Sequence, residues 1–371
     1  MFAKALCHAK LPFIMTFPWR LIGRFVLYIF AAIGFFLTAG WAAVNWHLTD
    51  TGGRIDRNDR YFARSAASEA AAARDPKRLA ADLCRAIWLK KSFPENGARI
   101  LAIYERSRSA AVLRRMVAAA ELYAKENETY AAGQKICADP ATAAAQFMDS
   151  GETNLFGWIN TAEWQTMKEA LAKDKEVIDR VSHTTGVPAR LIAAQIVGEQ
   201  LRLFHDNREV FKKFFQPLKI LGNEVQFSLG VAGIKEDTAK QIEKNLTDRT
   251  AVTYLGSEYE RLLDFKSSDP DRERYERLTD PHDRYYSYLY TALFLKQIEK
   301  QWQTAGYDIS ERPEILATIF NLGFTKSLPK ADPQVGGSEI EINGRSYTFG
   351  ALSYEFFYSG ELADEFPLTQ N

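Results

Sequence analysis

Cysteine is scarce in this chain. Three cysteines in 371 residues, at 7, 84 and 137, exclude a disulfide-rich scaffold. Histidine is scarce too, with five scattered at 8, 47, 183, 205 and 282, and there is neither an HExxH nor a CxxC. No metal or other cofactor is therefore expected. The chain also lacks a GxxxxGK(S/T) loop, a GxGxxG after a strand and a GxSxG elbow, so nucleotide binding and serine hydrolysis have no sequence support. Neither sign of charge is in surplus: 47 Lys and Arg face 47 Asp and Glu. A general nucleic-acid binder would need a basic excess, so no such partner is expected. What remains is the balance of a folded globular chain, 46% hydrophobic and 25% charged.

The first 49 residues contain no acidic side chain, and residues 25–44 contain no charge at all (FVLYIFAAIGFFLTAGWAAV). Twenty helical residues at about 1.5 Å each reach roughly 30 Å, the thickness of a bilayer core. Trp19, Trp41 and Trp46 flank the run as interfacial aromatics do. The pattern predicts a cytoplasmic segment over 1–24 and a transmembrane anchor over 25–45. Lys4, Lys10, Arg20 and Arg24 precede the run, against Arg54, Arg57 and Arg60 after it, which favours a cytoplasmic N-terminus with 46–371 outside. The alternative is a cleaved signal peptide using Ala39, Ala42 or Ala43, although the apolar run is long for one. With this topology Cys84 and Cys137 share an oxidising compartment; they either pair or stay as two buried thiols.

Beyond the anchor, 46–150 reads as a helical spacer or packing domain. It holds three to five helices, broken at Pro76, at 93–97 and at Asp139-Pro140. A turn-rich patch at 149–154 marks a boundary, and 151–371 forms the second domain. Helices are predicted over 161–184, from Pro188 onward, and over 234–246, 250–266, 283–305 and 311–322. Asn343-Gly344 between two alternating runs, 339–342 and 345–349, signals a hairpin with a type I′ turn. The fold class is mainly α with one small hairpin near the C-terminus.

One carboxyl stands out. On the helix from Gly186 to Phe204 (GVPARLIAAQIVGEQLRLF), Ile192, Ile196 and Leu203 lie at i−7, i−3 and i+4 from Glu199, so Glu199 projects from the apolar side. A carboxyl at an apolar rim is harder to ionise and suits general-acid chemistry. The plainer alternative is an ion pair with Arg202, three residues on. Gly198 beside it leaves room for a close approach to the backbone.

Four segments in order then carry a family resemblance. They are Gly186–Glu199, Gly230–Ala239 (GVAGIKEDTA), the aromatic run Tyr285-Tyr286-Ser287-Tyr288-Leu289-Tyr290, and Phe320-Asn321-Leu322-Gly323. Over roughly 170–330 the chain resembles the lytic transglycosylases of the goose-lysozyme-like fold. Three positions depart from the family pattern: Gln200 replaces the Ser after the acid, Gly233 replaces the Gln of the second segment, and Phe320 replaces the Tyr of the last; the spacing from Glu199 to Gly230 is also longer than the family's.

The resemblance implies a lysozyme-like helical domain that cleaves the MurNAc-β-1,4-GlcNAc bond of peptidoglycan strands, with no cofactor. Glu199 then protonates the leaving oxygen and next acts as base on the muramyl 6-hydroxyl, closing a 1,6-anhydro ring. The substrate's N-acetyl group stabilises the developing charge, so one carboxylate suffices where most glycosidases use two. It further implies substrate contacts at Ser228, Gly230, Val231, Tyr285, Tyr288, Phe320 and Asn321. For the tyrosines the alternative is a core stripe, and for Asn321 a helix cap. Localisation follows as a single-pass protein of a bacterial cytoplasmic membrane with its C-terminal part in the periplasm or outside. Two alternatives stay open: a weakened member that binds glycan or scaffolds an envelope complex, and a lysozyme-type hydrolase.

Overall fold

The computed structural model describes residues 19–45, 53–72, 76–137, 155–205, 228–324, 326 and 328–368. It divides into two compact units, Met1–Asp50 and Thr51–Asn371.

In the first unit, α1 spans Trp19–Asn45. Phe25, Phe30, Phe35 and Phe36 are exposed along it. Among the described residues, no helix is long and apolar enough to cross a membrane. The anchor predicted over 25–45 therefore stays a proposal.

The second unit begins with five helices: α2 (Asp59–Ala72), α3 (Pro76–Ser92), α4 (Pro94–Ser107), α5 (Ala110–Ala124) and α6 (Glu128–Cys137). Their starts follow from local chemistry. Proline opens α3 and α4, where its missing N–H costs nothing. The Ser109 hydroxyl caps α5 by accepting from Val112 N at 3.3 Å. The break expected at 93–97 falls at Phe93, between α3 and α4; Asn96-Gly97 lies inside α4, where the buried Asn96 side chain accepts from Leu155 N at 2.8 Å. Cys84 in α3 and Cys137 in α6 form a disulfide, their Cα atoms 5.6 Å apart. The boundary patch at 149–154 and Asp139-Pro140 lie outside the described residues.

A short 3₁₀ turn, Gly157–Asn160, leads to α7 (Ala162–Lys173), α8 (Lys175–Thr185) and α9 (Ala189–His205). The single helix predicted over 161–184 is thus two. The break at Asp174 is tertiary in origin: its carboxylate takes the Tyr288 hydroxyl and, at 2.6 Å, the Arg284 guanidinium. Next come the antiparallel pair β2 (Ser228–Leu229) and β3 (Ile234–Lys235), then α10 (Glu236–Thr247), α11 (Pro270–Thr279), α12 (Tyr285–Thr304) and α13 (Pro313–Leu322).

The helix predicted over 250–266 does not form; that stretch is a series of turns. Asp248 accepts from Thr250 N at 3.0 Å, and Gly256 has φ +122°, a conformation no helix contains.

The C-terminal part pairs β4 (Gly336–Gly337) with β1 (Arg54–Ile55) and forms the hairpin β5 (Glu339–Ile342) and β6 (Arg345–Thr348). Asn343 and Gly344, at φ +51° and +75°, make the turn as the sequence predicts. The closing helix α14 (Phe349–Ser359) is buried on nearly every side and packs against α5, α9 and α13. Helices from both sides of residue 150 therefore share one core.

Candidate functional site

Gly186 ends α8 in the left-handed conformation, and the Pro188 carbonyl accepts from Leu191 and Ile192 to start α9. From Arg190 to Glu199 every residue of α9 is buried. The helix is thus central, not amphipathic, and its period does not single out Glu199 as the sequence suggested.

Glu199 is 3% exposed. Its surroundings correct the expectation of an unpaired carboxyl at an apolar rim. Arg202 Nε donates to Oε2 at 3.1 Å, and Arg202 Nη2 donates to Oε1, a two-pronged pair whose side chains are 6% and 4% exposed. A guanidinium one helical turn away matches a carboxylate in this fork geometry.

The β2–β3 turn lies directly on this carboxyl. A methyl group at Gly233 would fall 1.8 Å from Glu199 Oε1, and Gly233 has φ +59°, so both space and conformation require glycine. Gln200 Nε2 donates to the Val231 carbonyl at 2.6 Å, fastening the turn to α9. Gly230 closes against the Leu278 carbonyl, which also accepts from Ser287 at 2.8 Å. Ser228 stands opposite Lys235 in the strand pair. Gly230, Val231 and Gly233 therefore converge on the Glu199 helix. Residues 206–227, between α9 and β2, lie outside the described residues.

On the far side, Gly198 lets α14 approach: a methyl group there would sit 2.8 Å from Ser353 Oγ and 2.9 Å from the Phe349 ring. Phe349 in turn borders Gly337, and Gly337 borders the Asn321 amide oxygen. That oxygen is committed to the loop after β4, accepting from Ser338 N at 2.8 Å and Ser338 Oγ at 3.0 Å.

The other predicted contacts lie elsewhere. Phe320 is 8% exposed and packs its ring on Phe294 and Phe349, so it is core and offers no face to a sugar. Tyr288 is buried, and its hydroxyl ties α12 to the α7–α8 junction at Asp174; burial pushes that phenol well up. Tyr285 is half-buried, with the Arg180 guanidinium 4.8 Å over its ring. The hydrogen bond of Tyr288 and the ring contact of Tyr285 thus go to Asp174 and Arg180.

The carboxyl that fits the apolar description is one the sequence reading passed over. Glu355 in α14 is fully buried, accepts from the Tyr123 hydroxyl and, at 3.1 Å, from Trp158 Nε1, and burial pushes its pKa up to about 8. Its only sequence signal is an acid within an aromatic run, 354–358 (YEFFY). A cavity of about 410 Å³ opens at the start of α9, beside Pro188, Leu191, Arg115 and Phe357, roughly 12 Å along the helix from Glu199. Among the described residues, no group of three or more His, Cys, Asp and Glu could hold a metal ion. Comparison with known protein families, curated proteins and solved structures finds no match for this chain.

Proposed function

We propose that this chain is a membrane-anchored peptidoglycan lytic transglycosylase with a lysozyme-like fold, held by residues 25–45 in a bacterial cytoplasmic membrane and acting on glycan strands outside it. The observation that carries the reading is the contact of Gly233 with Glu199. Two segments matched separately in the sequence meet at one buried carboxyl. In this reading Glu199 protonates the glycosidic oxygen and then takes the proton of the muramyl 6-hydroxyl as that oxygen closes on the anomeric carbon. Asn321, through its amide nitrogen, is the candidate for holding an N-acetyl group.

The test is digestion of purified sacculi by the full chain in detergent micelles, followed by mass analysis. Fragments with 1,6-anhydro ends are expected, and Glu199→Gln is expected to lower release at least 1000-fold. Reducing ends would replace the reading with a hydrolase. The Arg202 pair favours a second reading, a glycan-binding member that does not cleave. Retention on sacculi with no fragment released, by the wild type and by Glu199→Gln alike, would establish that one.

A further inference from the structure

The cavity at the start of α9 does not include Glu199 and has a chemistry of its own. Its volume of about 410 Å³ falls within the roughly 300–1,000 Å³ of small-molecule sites. Its walls come from α5, the start of α9, the residues leading into α13, the end of α14 and the chain that follows. Val112, Leu191, Pro313, Phe357 and Leu368 supply its apolar surface. Among the described residues its charged lining is a single pair: Arg115 of α5 and Glu311, with Nη1 and Oε2 2.6 Å apart. The two side chains are 20% and 76% exposed, so water reaches this pair and opening it costs little, in contrast to the buried Arg202 fork.

A ligand that enters must answer both charges. A carboxylate alone would stand against Glu311, and an ammonium alone against Arg115. A purely apolar body would cover both and strip water from them. An ammonium and a carboxylate on one carbon answer both, because the two protein charges are as close to each other as the two ligand charges are. The Tyr358 hydroxyl, 3.4 Å from Arg115 Nη1, adds a polar group at the same end. We infer that this cavity binds a free α-amino acid with a large apolar side chain. Arg115 takes the carboxylate, Glu311 takes the ammonium, and the side chain lies among Leu191, Pro313 and Phe357. A peptide fits less well, since its terminal charges stand at least one residue apart. The site is independent of whether the chain cleaves glycan.

The experiment is equilibrium dialysis of radiolabelled L-phenylalanine against the full chain in detergent micelles, with empty micelles as background. Saturable binding is expected, displaced by unlabelled phenylalanine or leucine. Glycine, phenethylamine and 3-phenylpropionate each lack one of the three features, and each is expected to compete about tenfold more weakly or worse. Glu311→Gln changes an exposed side chain; it is expected to weaken phenylalanine by about tenfold or more and to leave the melting temperature of the unliganded chain unchanged. Ala111→Trp fills the cavity from an exposed position on α5 and is expected to abolish binding. Phenethylamine or 3-phenylpropionate competing as well as phenylalanine overturns the assignment. So does full binding by Glu311→Gln or by Ala111→Trp, or the absence of saturable binding to the folded wild type.

Discussion

Two buried carboxylates lie on helices that pack against each other, and they are held in opposite ways. Glu199 on α9 is matched by a guanidinium; Glu355 on α14 is held by the neutral donors Tyr123 and Trp158. Both are at most 3% exposed. The difference teaches that burial alone does not decide the state of an acid. Arg202 compensates the charge of the first. The second meets low dielectric without a direct cation, and burial outweighs its two hydrogen bonds and the more distant pull of Arg345. The neutral carboxyl expected at the catalytic position is therefore found in the scaffold, where it ties α14 to α5 and to the 3₁₀ turn.

The largest effect expected from this contrast is a pH dependence of stability carried by Glu355. Its folded pKa of about 8 exceeds the ordinary 4.5, so the folded state binds more protons between those values. Stability then falls as pH rises from 4.5 to 8, is unaffected by this group below that window, and stays lowered above it. At roughly 1.4 kcal/mol for each pH unit, the loss is on the order of 5 kcal/mol. Asp56, Arg345, Tyr123 and Tyr347 face the same pocket, so the informative quantity is the difference from Glu355→Gln. Urea unfolding across pH 5–8 should show the slope in the wild type and a much flatter line in the variant. Equal slopes would place the titration elsewhere.

The matching experiment on Glu199 removes one partner at a time. Glu199→Gln or Arg202→Gln removes one side of this buried fork and is expected to cost about 3–5 kcal/mol. The double variant should recover part of that, because both sides of the fork are then removed together. Additive losses, read from a double-mutant cycle, would mean that the pair contributes no coupling. In the proposed reading, loss of Glu199 is expected to lower both activity and stability, whereas loss of Glu355 is expected to act through the pH profile of stability.

Much of this organisation is legible in the sequence, and the parts that are not have identifiable causes. The helix start at Pro188 and the Asn343-Gly344 turn depend on local chemistry, and they form where that chemistry puts them; the helix expected from 311 starts two residues later, at Pro313. Arg202, at i+3 from Glu199, is readable as the alternative partner. The break at Asp174 is not, because Tyr288 and Arg284, more than 100 residues away, cause it. Helix α14 escapes a reading based on periodicity because it has no polar face to create one. The misreading of Tyr288 and Phe320 has the same root. Aromatic side chains at helical spacing look alike whether they line a cleft or fill a core, and here both are buried.

A third buried acid extends the contrast. Glu121 in α5 accepts from Tyr130 at 2.6 Å and from Arg85 at 3.0 Å, combining the cation of the Glu199 site with the neutral donor of the Glu355 site. Arg85 adjoins Cys84, and Tyr130 shares α6 with Cys137, so the disulfide joins the two helices that serve this carboxylate. Breaking it with Cys84→Ser and Cys137→Ser is expected to cost about 2–4 kcal/mol, given the 53-residue separation it closes. A melting temperature indifferent to reductant would show that the helices hold Glu121 without the staple.

The smallest expected effect bears most directly on the site. Asn321 uses its amide oxygen twice, for Ser338 N and Ser338 Oγ, which leaves its amide nitrogen as the part available to a sugar. Asn321→Ala removes the acceptor and strands the Ser338 N–H, costing about 1 kcal/mol of stability. Asn321→Asp keeps the acceptor but exchanges the NH₂ donor for a second oxygen. If Asn321 only fastens the loop after β4, Asp preserves both stability and release from sacculi. If its nitrogen holds an N-acetyl group, Asp preserves stability while release falls about tenfold, the loss expected for one hydrogen bond of roughly 1.4 kcal/mol. Ala and Asp together thus separate a structural asparagine from a substrate-binding one, which stability data on Ala alone cannot do.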